Sequence, residues 1–466
     1  MSTARSGLQE WQQAHLVPMR VVRSAFMRQH ASLARRDQLR AKAEAKRQRE
    51  GRAHEVLYFH QVDDPYSQLA VQAIAPLLAR YQISLRPKLV AAPTPIAIHE
   101  QGLWDRWARS DCAAIAPYFG LQFQSIDPAP GAAALQLARR LMLVDVEPLA
   151  FAKRAIAVTS ALAGAGLAAL SALATGLALP GEDSTAQSLA ENFALRHQLG
   201  HYLGGMFHYE GEWYWGVDRL HYLEARLSAL GLRRADAPEG LCCPLQCSNT
   251  RLPLPATSQR LRLEFFPSLR SPYTHLAYAR VAELIQRYPI DLVVKPVLPM
   301  MMRGVKADRR KGAYIIEDTA REAESLGIAF GNIWDPFGEP VLRAYSLFPW
   351  ARDQGRGLVY LRAFSDAVWG RGENCYQRKG LKAVVEAAGL RWADALHHLD
   401  SNDWQAEMQA NVEEMLAAGS WGVPSFRRSQ GSGDSEAITV WGQDRIWLIE
   451  EEVRRRLLAA AGASSP

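Results

Sequence analysis

The sequence predicts an α/β protein of two tandem domains, each a small sheet interrupted by a long helical insertion. Three observations predict it. First, "DPYSQLAVQAIAPLLARYQISLRPKLV", from Asp64, returns 207 residues later as "SPYTHLAYARVAELIQRYPIDLVVKPV", from Ser271. Pro65-Tyr66 recur as Pro272-Tyr273, Leu69-Ala70 as Leu276-Ala277, and Arg80-Tyr81 as Arg287-Tyr288. Second, "YWGVDRLHYLE" from Tyr214 returns as "VWGQDRIWLIE" from Val440, now at an offset of 226, so insertions lie between the matched segments. Third, 466 residues exceed one ordinary core,. A match of this size indicates a duplicated domain rather than a solenoid.

In chain order, residues 1–53 read as a basic helical leader. They carry twelve Lys/Arg against four Asp/Glu, a net of +8, which leaves the other 413 residues at −2. "RRDQLRAKAEAKRQRE" has strong helix formers and almost no apolar face,. It reads as a solvated or frayed helix; contact with acidic lipid or nucleic acid is the alternative, and nothing else in the chain gives a nucleic-acid signal.

Residues 54–230 form the first copy, 231–257 a Pro-rich linker, and 258–460 the second copy. In each, a strand ("HEVLYFH" or "LRLEFF") leads to the Pro-Tyr helix, and a second strand follows ("ISLRPKLV" or "IDLVVKPV"). Helices come next, then a strand pair and a last helix. Strand-helix-strand followed by hairpin-helix is the thioredoxin arrangement, here with a helical insertion. Residues 155–181 carry no charge and are long enough to cross a bilayer,. They are rich in Ala and Gly, however, and Gly164 and Gly166 can break them, so two buried helices of a soluble domain are expected and no transmembrane span. Five cysteines and an N-terminus without a signal-peptide pattern point to a reducing, cytoplasmic setting,.

The chemistry concentrates in "FFPSLRSPYTHLA", "GSWGVPSF" and "VWGQDRIWLIEE". Ser271 stands at a strand-to-helix junction. A helix N-terminus offers free N–H groups and a positive dipole end that favour an anion, including a thiolate. A serine hydroxyl there is too weakly acidic to ionise; it can cap the helix or donate a hydrogen bond to a thiolate brought by another molecule. Pro424 opens the third strand, where a cis or an ordinary trans bond would both fit. Asp444 can cap the last helix or receive an ammonium group.

With "AVWGRGEN" in the helical middle, these motifs resemble the DsbA-like thioredoxin superfamily over about residues 258–460. Within it they are similar to 2-hydroxychromene-2-carboxylate isomerase and kappa-class glutathione transferase. The resemblance implies glutathione as cofactor and a small electrophilic molecule as substrate, and it allows for a homodimer. It gives Ser271 the thiolate, Val423 and Pro424 the cysteinyl backbone at a cis-proline, and Gln443 and Asp444 the γ-glutamyl end. Tyr273, Lys306 and Lys311 are the candidate substrate-binding groups. The stretch after the second strand, "LPMMMRGVKADRRKGAY", lacks the family's asparagine but has Lys306, Arg309, Arg310 and Lys311 to meet a carboxylate.

In the first copy Asp64 stands where Ser271 stands, and Gly205 where Pro424 stands. A carboxylate there would repel a thiolate. This copy reads as degenerate, structural or regulatory, with a divergent site using Asp64, His60 and nearby tyrosines as the alternative. Cys242, Cys243 and Cys247 lack zinc spacing, and no Cys-x-x-Cys marks either helix start, so neither a metal site nor a dithiol oxidase is expected. Ser271 and His275 lie one turn apart without a Gly-x-Ser-x-Gly elbow. The expected function is a glutathione-dependent isomerase or transferase confined to the second copy. A non-catalytic scaffold and a thiol-peptide binder are the alternatives.

Overall fold

Each half of the chain builds a four-stranded sheet, and the two have the same order. The computed structural model describes residues 19–93, 100–246, 260–304, 309–430, 434 and 436–462. In the first sheet β1 (Glu55–His60) pairs parallel with β2 (Ser84–Leu89) and antiparallel with β3 (Met206–Tyr209), which pairs antiparallel with β4 (Glu212–Trp215). The second sheet repeats this with β5 (Leu261–Phe266), β6 (Ile290–Val294), β7 (Ser425–Arg428) and β8 (Ile438–Trp441), in the order β6-β5-β7-β8. The central strands are largely buried, as strands covered on both faces are, with Glu264 and His60 the buried polar residues in them,. Val56, Tyr58 and Phe59 of β1, and Leu263, Phe265 and Phe266 of β5, are all buried.

Three hydrogen bonds recur at positions that the internal match aligns. The hydroxyl of Tyr66 donates to Asp111 and that of Tyr273 to Asp318, both at 2.8 Å. The N–H of Gln61 reaches the Ser67 hydroxyl at 3.1 Å, and that of Ser268 the Thr274 hydroxyl at 3.4 Å. Gly216 N–H donates to the Gly205 carbonyl at 2.8 Å, and Gly442 N–H to the Pro424 carbonyl at 2.9 Å.

The chain divides into two compact units. The N-terminal unit spans Asp37–Gln246 and also takes Arg309, Arg310 and Lys311; the C-terminal unit takes the described residues up to Arg36 and the rest from Arg260 onward. The division falls inside the helix Leu33–Arg49.

The basic stretch read as a solvated helix is the helix Leu33–Arg49, and it buries no residue. Residues 19–31 are helical, and Arg20, Ser24 and Ala31 are buried. Arg23 Nε donates to Asp335 at 2.6 Å, and Arg36 to Glu324 at 2.5 Å, all within the C-terminal unit. Arg40 holds Glu212 of the N-terminal unit through two nitrogens, at 2.5 and 2.8 Å. Acids of the chain itself thus engage Arg23, Arg36 and Arg40. The sequence could not show it because Arg23 and Asp335 are 312 positions apart.

The Ala-rich stretch does split at Gly164 and Gly166, into Pro148–Ala163 and Leu167–Ala174. Gly166 takes φ +58, a left-handed conformation that glycine enters without strain,. The first helix buries one face through Phe151, Ala155 and Val158, but the second buries only Leu170. The expectation of two buried helices is corrected to one half-buried helix and one exposed helix. No helix among the described residues is long and apolar enough to cross a membrane.

Candidate functional site

The strand β5 ends in a Pro-Ser-Leu-Arg turn that delivers Ser271 to the start of the helix Pro272–Arg287. Ser271 has extended backbone angles, Pro272 occupies the first turn, and the Ser271 hydroxyl accepts from the Thr274 N–H at 3.2 Å. That is an N-cap, satisfying one of the orphan donors of the first turn. The same hydroxyl donates to the Val423 carbonyl at 3.2 Å. The Val423–Pro424 peptide is cis. Ser271 and Val423 are both half-buried, while Pro424 is buried. Two motifs 152 positions apart therefore meet at one hydroxyl.

Trp421 and Trp441 flank this loop with ring centroids 5.0 Å apart. Gly422 has no room for a side chain, since a Cβ would collide with the Trp441 indole. The sequence reading missed these tryptophans. The signal was present, because Trp441 aligns with Trp215 in the second internal match.

Beside Ser271 lies a charged bracket. Asp335, fully buried, receives Arg270 at 3.0 Å and Arg23 at 2.6 Å. Burial alone would raise its carboxyl, but the guanidiniums of Arg270 and Arg23 outweigh burial and hold it below the usual range,. Arg270 also contacts the Met301 sulfur at 3.0 Å.

The other expected groups separate. Gln443 is buried, and its amide is spoken for at both ends: Oε1 accepts from Arg280 at 2.7 Å and Nε2 donates to Glu322 at 2.7 Å. The role of γ-glutamyl contact is therefore corrected, for Gln443 locks the last helix to its neighbours. Asp444 is half-buried, lies over Gly442, and stands 3.7 Å from the Arg445 guanidinium. Tyr273 directs its hydroxyl to the buried Asp318, as Tyr66 does to Asp111 in the N-terminal unit. Lys311 lies in the first turn of the helix Arg309–Leu326 and groups with the N-terminal unit. Lys306 lies outside the described residues, as does Cys247.

His275 turns away from the Ser271 hydroxyl. Its Nε2 faces the Ala329 carbonyl at 2.9 Å, its Nδ1 is 3.5 Å from Asp366, and burial lowers its pKa. A hydrolytic dyad is not formed. Cys242 points its sulfur at the buried Glu224, 3.2 Å away, and its thiol is raised by Cys243 beside it and by burial. A raised thiol is a poor nucleophile at neutral pH.

Glu322→Ala should destabilise the C-terminal unit by about 2–3 kcal/mol, because it strands the buried Gln443 amide. Urea unfolding monitored by circular dichroism checks this; a loss under about 0.5 kcal/mol would show that the network is dispensable.

Strand order, helical insertion and a helix N-terminus facing a cis-proline loop define a protein of the thioredoxin class. Residues 262–454, within the C-terminal unit, match the DSBA-like thioredoxin domain. No curated protein matches the chain in sequence. Among solved structures it is similar to a 2-hydroxychromene-2-carboxylate isomerase, at 23% identity and TM-score 0.37 over 44% of this chain and 100% of that one. It is also similar to a cytosolic disulfide reductase, DsbM, from Pseudomonas aeruginosa, at 18% identity and TM-score 0.33 over 42% of this chain and 100% of that one. A probable DsbA oxidoreductase from Streptomyces coelicolor aligns at 19% identity and TM-score 0.33, over 44% and 92%.

In the N-terminal unit, Asp64 caps the helix Pro65–Val71. It accepts from the Ser67 N–H at 2.9 Å and the Ser67 hydroxyl at 2.6 Å. Burial pushes its carboxyl up to about 6. An acid raised in the folded state binds its proton more tightly there, so it favours folding in acid and loses that contribution as pH rises through about 6,. Asparagine keeps the cap without ionising. Asp64→Asn should therefore stabilise this unit by about 2 kcal/mol above pH ~7, with no gain below pH ~4. Thermal unfolding across that range tests it, and a pH-independent difference would contradict the assignment.

Proposed function

We propose that the C-terminal unit uses a small thiol, glutathione, in an isomerase- or transferase-type reaction on an electrophilic small molecule. The observation that carries this reading is the Ser271 hydroxyl, set on a helix N-terminus and 3.2 Å from the Val423 carbonyl. Ser271 would turn its proton from that carbonyl to a thiolate, with the helix dipole adding to the same charge. The backbone of Val423 would then be open to pair with the cysteinyl unit. Asp444, half-buried at the start of the last helix, would receive the γ-glutamyl ammonium. The residues thus fit a thiol, its backbone and an ammonium end. Glutathione supplies a thiolate that adds to an electrophilic carbon and, in an isomerisation, leaves again.

A serine in place of the redox cysteine favours this reading over disulfide exchange, which needs a sulfur nucleophile from the protein. The test is a calorimetric glutathione titration of the whole protein. One site per chain, weakened or chemically silenced by Ser271→Ala, supports the reading. No binding at about 10 mM glutathione would leave a thioredoxin-fold scaffold.

A further inference from the structure

The N-terminal unit holds a cavity of about 130 Å³ at the place where the C-terminal unit presents Ser271. For scale, a 150 Å³ apolar cavity admits benzene, so this one suits a head group rather than a peptide. Its floor is Asp64 over Gly204. A Cβ at Gly204 would come within 2.9 Å of the Ser67 hydroxyl and 3.0 Å of the Asp64 carboxylate, so the glycine makes the room.

Two features of the lining select a ligand. Trp104 and Trp215 line one side with their planes 18° apart and centroids at 6.2 Å, backed by Tyr66 at 4.9 Å from Trp215. Among the described residues, Asp63, Asp64 and Asp105 also line it, with one guanidinium in the lining, that of Arg109, and the buried Arg196 guanidinium close enough to act on Asp64. The Arg109 guanidinium lies 3.9 Å from Asp127. The amides of Gln61 and Gln101 each serve one oxygen, of Asp63 and Asp105 respectively. Every hydrogen-bond donor to Asp64 is neutral: the Ser67 N–H and hydroxyl and, at 3.4 Å, the Tyr66 N–H. A carboxylate held among neutral donors in a half-buried site costs stability unless a cation joins it.

We propose that this cavity binds a small organic ammonium group, held between the tryptophan faces and the Asp63–Asp64–Asp105 carboxylates. Indole faces attract ammonium cations through the ring quadrupole, and the attraction grows where water is excluded. The carboxylates add charge of the opposite sign and reject thiolates and other anions. The site is independent of the chemistry proposed at Ser271.

The test uses the whole protein, tryptophan fluorescence and calorimetry. The probes are choline, ethylammonium, the uncharged choline isostere 3,3-dimethylbutanol, and acetate. Choline or ethylammonium should bind with a dissociation constant of millimolar order or better, and at least about tenfold more tightly than the neutral isostere. Asp64→Asn, which keeps the helix cap, should weaken the cation by about tenfold or more; Trp215→Leu should do the same. If Trp215→Leu fails to fold, Asp64→Asn decides alone. Equal binding of the neutral isostere, preference for acetate, an unaltered constant in Asp64→Asn, or no binding of either cation at about 10 mM would each overturn the proposal.

Discussion

Replacing Ser271 by alanine should leave glutathione bound but its thiol protonated. A hydrogen bond to a charged acceptor contributes about 1.5–3 kcal/mol, and 1.36 kcal/mol is one pKa unit. The bound thiol should therefore titrate about one to two units higher in the variant, read from the ultraviolet absorbance of the thiolate. Turnover of an electrophilic substrate at neutral pH should fall about 10- to 100-fold, with the larger part of the loss in kcat rather than KM. The helix also loses its cap, at about 1 kcal/mol. Stability and thiol pKa are separate readouts, so a merely structural serine would move the first and not the second. An unshifted thiol pKa in the alanine variant would end the assignment.

Asp335→Ala should cost the C-terminal unit about 3 kcal/mol. The carboxylate is fully buried and receives both Arg23 and Arg270. Breaking a buried pair from one side typically costs 3–5 kcal/mol. The estimate sits at the low end because Arg23 and Arg270 keep some exposure and can turn toward water. An acid held low in the folded state stabilises at neutral pH and loses that contribution as pH falls through its folded value. Parent and variant should therefore converge in acid. Denaturant unfolding at neutral and acidic pH measures both; an unchanged midpoint at neutral pH would show that the bracket is ornamental.

The sheet order was legible in the sequence because it rests on local pattern: apolar strands, a Pro-Tyr helix start, and a hairpin before the last helix. The meeting of Ser271 with Val423 was legible only through the family resemblance, which sets both against one thiol peptide. Gln443 was not. Its sequence position suits a ligand contact, but Arg280 and Glu322 reach it from 163 and 121 positions away and bury it. The partner of the Tyr273 hydroxyl was not legible either, since only the fold brings Asp318 to it. The leader's charge was countable, but which acids would meet Arg23 and Arg36 is decided by long-range packing that periodicity does not encode. The Ala-rich stretch shows the limit of composition, which found the break at the glycines and not the exposure of Leu167–Ala174.

The bracket of Arg23 on Asp335 also has a history within each molecule's synthesis. The arginine leaves the ribosome 312 residues before its carboxylate does. At translation rates of about 5–20 residues per second, the nascent helix waits roughly 15–60 s for its partner. The C-terminal unit is thus begun first and closed last, and a gene fragment starting at β5 would encode a domain missing its oldest piece.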